Sequence, residues 1–297
     1  MRLIERRTGL LFAGFLLLLA IGAGRAAWLG VVKAGALTRA AVSQQQADVV
    51  VPARRGSIVD ANGVELAVSE PAVDIAATPY LVKDAPAVAD KLAPLLGKPA
   101  DQLLRQLVRR DTGFAYLSRR VPADQAAKVQ KLNIAGLEFI PEYRRTYPRT
   151  WMASQVLGSV GTDGNGLSGL EYSLDGQLKG SDGERRLVKD ALGTPIEMRD
   201  TKPVRSGKTV RLTLDANLQD QAEGVLKEVG TEWQPKDATA IVMDPRSGAI
   251  LALANWPRVD ANAPGAAPAA ASEDRAIGVT YEPGSTFKAF TVAAAVM

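Results

Sequence analysis

The sequence predicts an α+β protein behind an N-terminal transmembrane helix. Three observations predict this class. Thr8 to Gly24 is a run of 17 residues without a charge. Downstream, stretches that alternate apolar and polar residues follow and precede stretches of helical spacing. The composition, 46% hydrophobic and 23% charged over 297 residues, is that of a folded chain of about two domains.

The helix comes first. At ~1.5 Å per residue, 17 residues span roughly 25 Å, the short end for a bilayer crossing. Arg7 and Arg25 can snorkel at its two ends, and Trp28 suits an interface. Arg2, Arg6 and Arg7 put the N-terminus in the cytoplasm and the rest of the chain outside it. A cleaved signal peptide ending in the small residues from Ala20 to Gly24 is the alternative. The net charge of +4 belongs to this segment. Residues 1–33 carry five basic residues against one acidic, and the remaining 264 are neutral overall. A membrane explains such basicity better than nucleic acid does. Residues 26–48 continue amphipathically and are expected to form a helical stalk.

From Val49 to Val68 the pattern is strand, turn, strand, with the turn at Asp60-Ala61-Asn62-Gly63. Ala72 to Thr78 reads as another short strand. Residues 84–110 and 122–132 read as helices, with Leu92, Leu95, Leu96, Leu103, Leu104 and Leu107 at helical spacing. Residues 133–147 turn extended, and Gly158 to Gly169 is glycine-rich. Two stretches mimic phosphate loops. Gly161-Thr162-Asp163-Gly164-Asn165-Gly166 lacks the strand before it and the helix after it. Ser206-Gly207-Lys208-Thr209 has Lys202 where a first glycine would stand, and a strand follows it.

That strand, Thr209 to Asp215, places Val210, Leu212 and Leu214 on one face. Asp215 can cap a helix across 216–229, with Leu218, Ala222, Val225, Leu226 and Val229 inward. Ala238 to Asp244 and Ala249 to Ala254 form a hairpin of nearly continuous apolar residues, expected to be buried on both faces. Residues 256–274 are rich in Pro and Ala and read as a surface loop. A final helix, starting at or near Ser285 after the Pro283-Gly284 turn, is expected to pack back on the sheet.

The candidate chemistry lies in that last helix. Ser285 and Lys288 are three residues apart and share one helical face. A serine hydroxyl is a weak nucleophile that needs a base beside it. The chain has no His, so a Ser-His-Asp triad is excluded, and no Cys, so thiolate chemistry and disulfides are excluded too. Lys288 has the right spacing. Burial and the positive end of a helix are what would make a lysine usable as a base, and the same amides could receive an oxyanion. A bare S-x-x-K is a weak motif. An N-cap serine beside a surface lysine is the plain alternative.

The other motifs raise its weight. Arg54-Arg55-Gly56-Ser57-Ile58-Val59-Asp60-Ala61-Asn62-Gly63, then Tyr143-Arg144-Arg145-Thr146-Tyr147-Pro148, then Gly166 to Gly180 resemble, in this order, three motifs of the N-terminal module of class B penicillin-binding proteins. Thr213 to Gln219 and Ala240 to Ala252 resemble the start of that family's transpeptidase domain. Tyr281 to Lys288 falls where the family carries its nucleophile. The resemblance covers nearly the whole chain.

It implies residues 1–25 as cytoplasmic tip and membrane anchor, 26–48 as stalk, and 49–205 as an elongated mixed α/β pedestal, the dimerisation domain. Residues 206–297 would be the first part of a serine transpeptidase/β-lactamase-like α/β domain. By the same resemblance Ser285 is the acyl nucleophile and Lys288 its general base in peptidoglycan D,D-transpeptidation, without metal or cofactor. The donor would be the D-Ala-D-Ala end of a stem peptide, and β-lactams would acylate the same serine. A membrane glycosyltransferase and other division or elongation proteins are the expected partners, at the bacterial cytoplasmic membrane. Glu282 before Pro283-Gly284-Ser285 leans to the division type. Arg54, Asp60, Arg145 and Glu171 are expected to be structural ion-pair or hydrogen-bonding residues. The family pattern also includes an S-x-N motif and a K-[ST]-G strand C-terminal to S-x-x-K. Neither occurs in these 297 residues, so a C-terminally truncated chain, inactive alone and with an incomplete last core, is expected. Two other readings stand beside this one. The first is a non-catalytic membrane-anchored binding module. The second is a β-lactam sensor or β-lactamase relative, which would have no use for so large a pedestal.

Overall fold

The structure is a computed structural model and describes residues 2–33, 35, 46–189, 195–268 and 271–297. The chain folds as two compact units, one of Met1–Val50 with Gly183–Pro203, the other of Val51–Asp182 with Val204–Met297.

In the first unit, α1 (Arg2–Ala27) runs into a π-helical turn at Trp28–Val32. Leu11–Val31 is apolar and long enough to cross a membrane, and none of it is buried in protein. The expected stalk is helical through the π turn. Residues 34 and 36–45 of it lie outside the described residues, and residues 46–48 are already strand. That strand, β1 (Gln46–Val51), pairs with β6 (Gly183–Lys189), which pairs antiparallel with β7 (Pro195–Lys202).

The second unit begins with β2 (Ile58–Val59) and the long β3 (Glu65–Ala77). The strand expected at Ala72–Thr78 is the second half of β3. Pro71 does not end it, because β4 (Ala115–Pro122) begins to pair at Ala72 and the missing N–H falls outside that ladder. β5 (Leu137–Thr146) pairs with β3 from Val68 to Ala77. The helix expected over 84–110 is two, α2 (Ala85–Leu96) and α3 (Ala100–Leu107). Gly97, with φ +61°, ends α2 in the left-handed conformation that glycine adopts without strain, and Pro99 starts the next turn. α4 (Ala123–Gln130) follows. Ile75, Leu92, Leu103, Leu107, Leu117 and Val129 pack between these helices and the sheet as one core. Each fully buried leucine contributes about 1.5–3 kcal/mol.

Three short helices, α5 (Ser154–Leu157), α6 (Gly169–Ser173) and α7 (Asp175–Leu178), flank the glycine-rich stretch. Close packing explains Gly158, Gly166 and Gly169 there, and Gly207 in the second stretch that mimics a phosphate loop. A Cβ on Gly166 would lie 2.0 Å from the Glu171 carbonyl oxygen, and one on Gly207 1.7 Å from that of Leu178. β8 (Val210–Arg211) then pairs parallel with β2. The second core joins Ile58, Leu66, Met152, Leu157 and Leu178 to Leu214, Ala216 and Ala261.

α8 (Ala216–Trp233) starts at the Asp215 cap as expected, with Asp215 accepting from the Asn217 and Leu218 amides. Its inner face differs from the expected one. Ala216, Gln219, Glu223, Leu226 and Gly230 are buried, whereas Val225 and Val229 are exposed. The buried polar side chains satisfy backbone groups of neighbouring segments, as detailed below. β9 (Ala238–Met243) and β10 (Ile250–Trp256) form the expected antiparallel hairpin. It is not buried on both faces, since Ile241, Val242 and Met243 are exposed. A short α9 (Arg275–Gly278) precedes the last helix, α10 (Lys288–Val296). The expected packing of this helix against the sheet is not seen, for residues 277–297 are exposed throughout.

Candidate active site

Ser285 lies in a 3-10 turn, Gly284–Phe287, and the α-helix proper begins at Lys288. The expected helix start is thus three residues early. The turn forms because Gly284, at φ +54°, takes a left-handed conformation after Pro283. The Thr286 amide then donates to the Pro283 carbonyl at 3.1 Å, and the Lys288 amide to the Ser285 and Thr286 carbonyls. Residues i and i+3 eclipse in a 3-10 turn, so Ser285 and Lys288 still project to one side. The Phe287 and Phe290 rings lie 5.7 Å apart, tilted against each other. Both candidate residues are exposed. Among the described residues, no group of three or more His, Cys, Asp or Glu is placed to hold a metal ion.

The organised chemistry of the second unit lies instead around Glu171. Its side chain is fully buried and takes two guanidinium groups. Arg55 Nε donates to Oε2 at 2.7 Å, and Arg145 Nε to Oε1 at 2.6 Å. Arg55 also donates to Asp175 Oδ1 at 2.6 Å and to the Glu171 carbonyl at 2.7 Å. Arg145 donates to the Gly56 carbonyl at 2.8 Å. The Tyr147 hydroxyl donates to Glu171 Oε1 at 3.4 Å. Burial, then the Glu171 charge, pushes the Tyr147 hydroxyl well above the usual phenol range. Three stretches far apart in sequence, at 55, 145–147 and 171–175, thus close on one carboxylate. Removing one partner from such a buried cluster costs about 3–5 kcal/mol, because charge is left uncompensated. Glu171 and Arg145 are structural, as expected. Among the described residues the Arg54 side chain donates only to the Ser69 carbonyl, at 3.2 Å, and its neighbour Arg55, not singled out in the sequence, carries the ion pair.

Two further carboxylates fasten α8 to the segments before it. Asp60, fully buried, accepts from the amides of Asn62 at 2.8 Å, Val64 at 2.7 Å and Ala216 at 3.0 Å. Burial works against its charge, but these amides outweigh burial and hold the carboxyl below its ordinary range. Glu223 accepts from the Ala153 amide at 2.6 Å and from Gln219 Nε2 at 2.8 Å. Here burial wins over the hydrogen bonds and raises the carboxyl. Gln219 also exchanges two 2.8 Å hydrogen bonds with the Leu253 backbone in β10. Asn262 does the same for Tyr147, at 2.9 Å each way. None of Glu223, Gln219 and Asn262 stood out in the sequence, because a polar residue on a helix or loop gives no sign of the backbone group it will meet.

With this geometry in view, family models place the chain. The penicillin-binding protein dimerisation domain matches residues 50–212, more than half of the chain, and the penicillin-binding protein transpeptidase domain matches 238–297. The chain belongs to the class B penicillin-binding proteins. Peptidoglycan D,D-transpeptidase FtsI of Escherichia coli is 34% identical over 295 residues, 97% of this class B chain and 50% of its own. The probable peptidoglycan D,D-transpeptidase PenA of Neisseria meningitidis is 35% identical over 250 residues, 82% of this chain and 43% of its own. The penicillin-binding protein therefore spans about half the length of the curated relatives it matches. Among solved structures, penicillin binding protein 2X from Streptococcus thermophilus is similar with a TM-score of 0.57 and 29% identity, over 84% of this chain and 41% of that one. The Glu171 cluster lies within the dimerisation-domain match, and Ser285 and Lys288 lie within the transpeptidase match.

Proposed function

We propose that this chain carries the nucleophile of a peptidoglycan D,D-transpeptidase, with Ser285 as acyl acceptor and Lys288 as general base. The observation that carries the proposal is the chain's one S-x-x-K, on one side of a 3-10 turn and inside the segment matched by the transpeptidase family. The Ser285 hydroxyl attacks the carbonyl of the penultimate D-Ala of a stem peptide, and Lys288 takes its proton. Terminal D-Ala leaves as the acyl-enzyme forms. An amine of a neighbouring stem then attacks the ester, forms the cross-link and frees Ser285. A β-lactam takes the donor's place and stays on Ser285. The names of the relatives support this substrate class.

The division proposed is anchor to residue 25, stalk to 48, pedestal across 49–205 and transpeptidase part from 206. Arg2, Arg6 and Arg7 support a cytoplasmic N-terminus with the bulk of the chain outside. Glu282 supports a division role, in which a membrane glycosyltransferase would be a partner. Cross-linking also calls for the family's S-x-N and K-[ST]-G elements, so we expect these 297 residues by themselves not to cross-link.

The test is D-Ala release from a D-Ala-D-Ala pentapeptide by a chain carrying all three motifs. Ser285→Ala is expected to abolish release and Lys288→Met to reduce it by about 10²–10⁴-fold, the usual range for a general base. Full release by Ser285→Ala would remove Ser285 as the nucleophile.

A further inference from the structure

Among the described residues, the hydrogen bonds of residues 279–297 stay within that stretch, as between Pro283 and Thr286 and along α10. The last long-range hydrogen bonds before Ser285 are those that hold α9. Residues 279–284 alone separate that helix from Ser285. We infer that Asn255 and Asp274 are positioning residues for the nucleophile. They fix α9 on the β9–β10 hairpin, and through it the chain that carries Ser285 and Lys288. The inference rests on the reading of Ser285 as the acyl acceptor.

α9 is a single turn, too short to persist on its own hydrogen bonds. Its first amides are the donors that a helix leaves open. Asn255 closes them from another element. It lies in β10 and is only 4% exposed. Its Oδ1 accepts from the Arg275 amide at 3.1 Å and from the Ala276 amide at 3.3 Å. Its Nδ2 donates to Asp274 Oδ1 at 2.9 Å. Asp274 Oδ1 in turn accepts from the Ala276 amide at 3.2 Å. The Arg275 guanidinium donates to Asp237, just before β9, at 2.5 Å. The one turn is thus tied to both strands of the hairpin. Upstream, Gln155 Nε2 donates to the Pro257 carbonyl at 2.8 Å and to the Ala271 carbonyl at 3.1 Å, which closes both ends of the loop that leads into α9.

The chemistry needs such a hold. An attacking hydroxyl must stand about 3–3.5 Å from its target carbon, and a displacement of about 1 Å costs about 10²-fold in rate. The 3-10 turn keeps Ser285 and Lys288 in step with each other, but it does not place them against a substrate. That placement falls to the segment leading into the turn. Without the clasp, α9 is free to move on the hairpin, and acylation slows although neither reacting group has changed.

The test is saturation kinetics of acylation by a fluorescent penicillin, on a chain carrying all three motifs, with rates normalised to folded protein. Asn255→Ala and Asp274→Ala are expected to acylate about ten- to a hundredfold more slowly at saturating penicillin, with the half-saturating concentration unchanged. Asp274→Asn still accepts from the Ala276 amide and from Asn255, and is expected to keep the parent rate. A merely structural role would lower the folded fraction and leave the rate per folded molecule as it was. Asp274 is only half-buried, so its two variants decide the matter if Asn255→Ala does not fold. Parent rates in the alanine variants would overturn the inference. An equal loss in Asp274→Asn and Asp274→Ala would overturn it too. Ser285→Ala, run in parallel, keeps the two readings apart. Label lost there, with parent rates in the alanine variants, removes the positioning role alone. Label that persists there removes both.

Discussion

The Glu171 cluster and the Ser285 turn belong to one chain but are built in opposite ways. Around Glu171, every side-chain contact spans more than twenty residues of sequence, from Arg55 at one extreme to Tyr147 at the other. The side chains are buried, and their positions are set by each other. Around Ser285, the hydrogen bonds reach three residues at most, from Pro283 to Thr286 and from Ser285 to Lys288. The side chains stand in solvent. The first region therefore owes its geometry to tertiary structure, and the second owes its geometry to a local turn. A long-range cluster can be broken by a single side chain. A local turn survives almost any change to its side chains but does not by itself desolvate a lysine or build an oxyanion hole.

The comparison breaks most visibly at Glu171. Glu171→Ala strands two buried guanidinium groups and is expected to cost about 3–5 kcal/mol, read from urea unfolding. A loss below about 1 kcal/mol would mean that the arginines find other partners and that the cluster is not a keystone. Next comes Asp60→Ala, which strands the Asn62, Val64 and Ala216 amides, for about 1–3 kcal/mol. Asp60 also sets a pH dependence. Its carboxyl titrates below its ordinary 3.8 in the folded chain, so its contribution is present above pH 3.8 and fades as pH falls through the lower folded value. In Asp60→Asn this acid-side loss should be smaller, as thermal melts between pH 2 and 5 will show.

Glu223 sharpens the contrast because its sign is opposite. Its folded carboxyl is raised above 4.5, so its favourable contribution is present below pH 4.5 and is lost as pH rises through the raised value. Glu223→Gln keeps an acceptor for the Ala153 amide and carries no charge. It is expected to match the parent at pH 4 and to be equal or slightly more stable at pH 8. A variant less stable by more than about 1 kcal/mol at pH 8 would show that the charge itself is needed. The smallest effect on stability belongs to the region of greatest chemical interest. Ser285→Ala should shift the melting free energy by no more than about 0.5 kcal/mol, as exposed positions do.

The same contrast explains what could be read from the sequence. The long apolar N-terminal helix, the β9–β10 hairpin and the Asp215 cap were legible because each is a local pattern. The break at Gly97 and Pro99 was legible in principle, and the leucine spacing on either side masked it. β4 was missed because Ser118 and Arg120 interrupt its alternation, and the ladder there shifts register between Val73 and Ala76. The inward face of α8 was misread because hydrophobicity pointed to Val225 and Val229, whereas Gln219 and Glu223 are held inside by backbone partners in other segments. Whether Arg54 or Arg55 would pair with Glu171 depended on the course of the irregular segment between β1 and β2, which adjacent identical residues do not reveal. The misreadings of α8 and of Arg54 both concern polar groups whose partners are distant in sequence.

The most direct measurement is to map the adduct of a penicillin on a chain carrying all three motifs, by mass spectrometry of its peptides. The prediction is one adduct, on the peptide containing Ser285, absent in Ser285→Ala. Ser285→Ala should also melt like the parent. An adduct on another residue, or one that persists in Ser285→Ala, would contradict the assignment of the nucleophile.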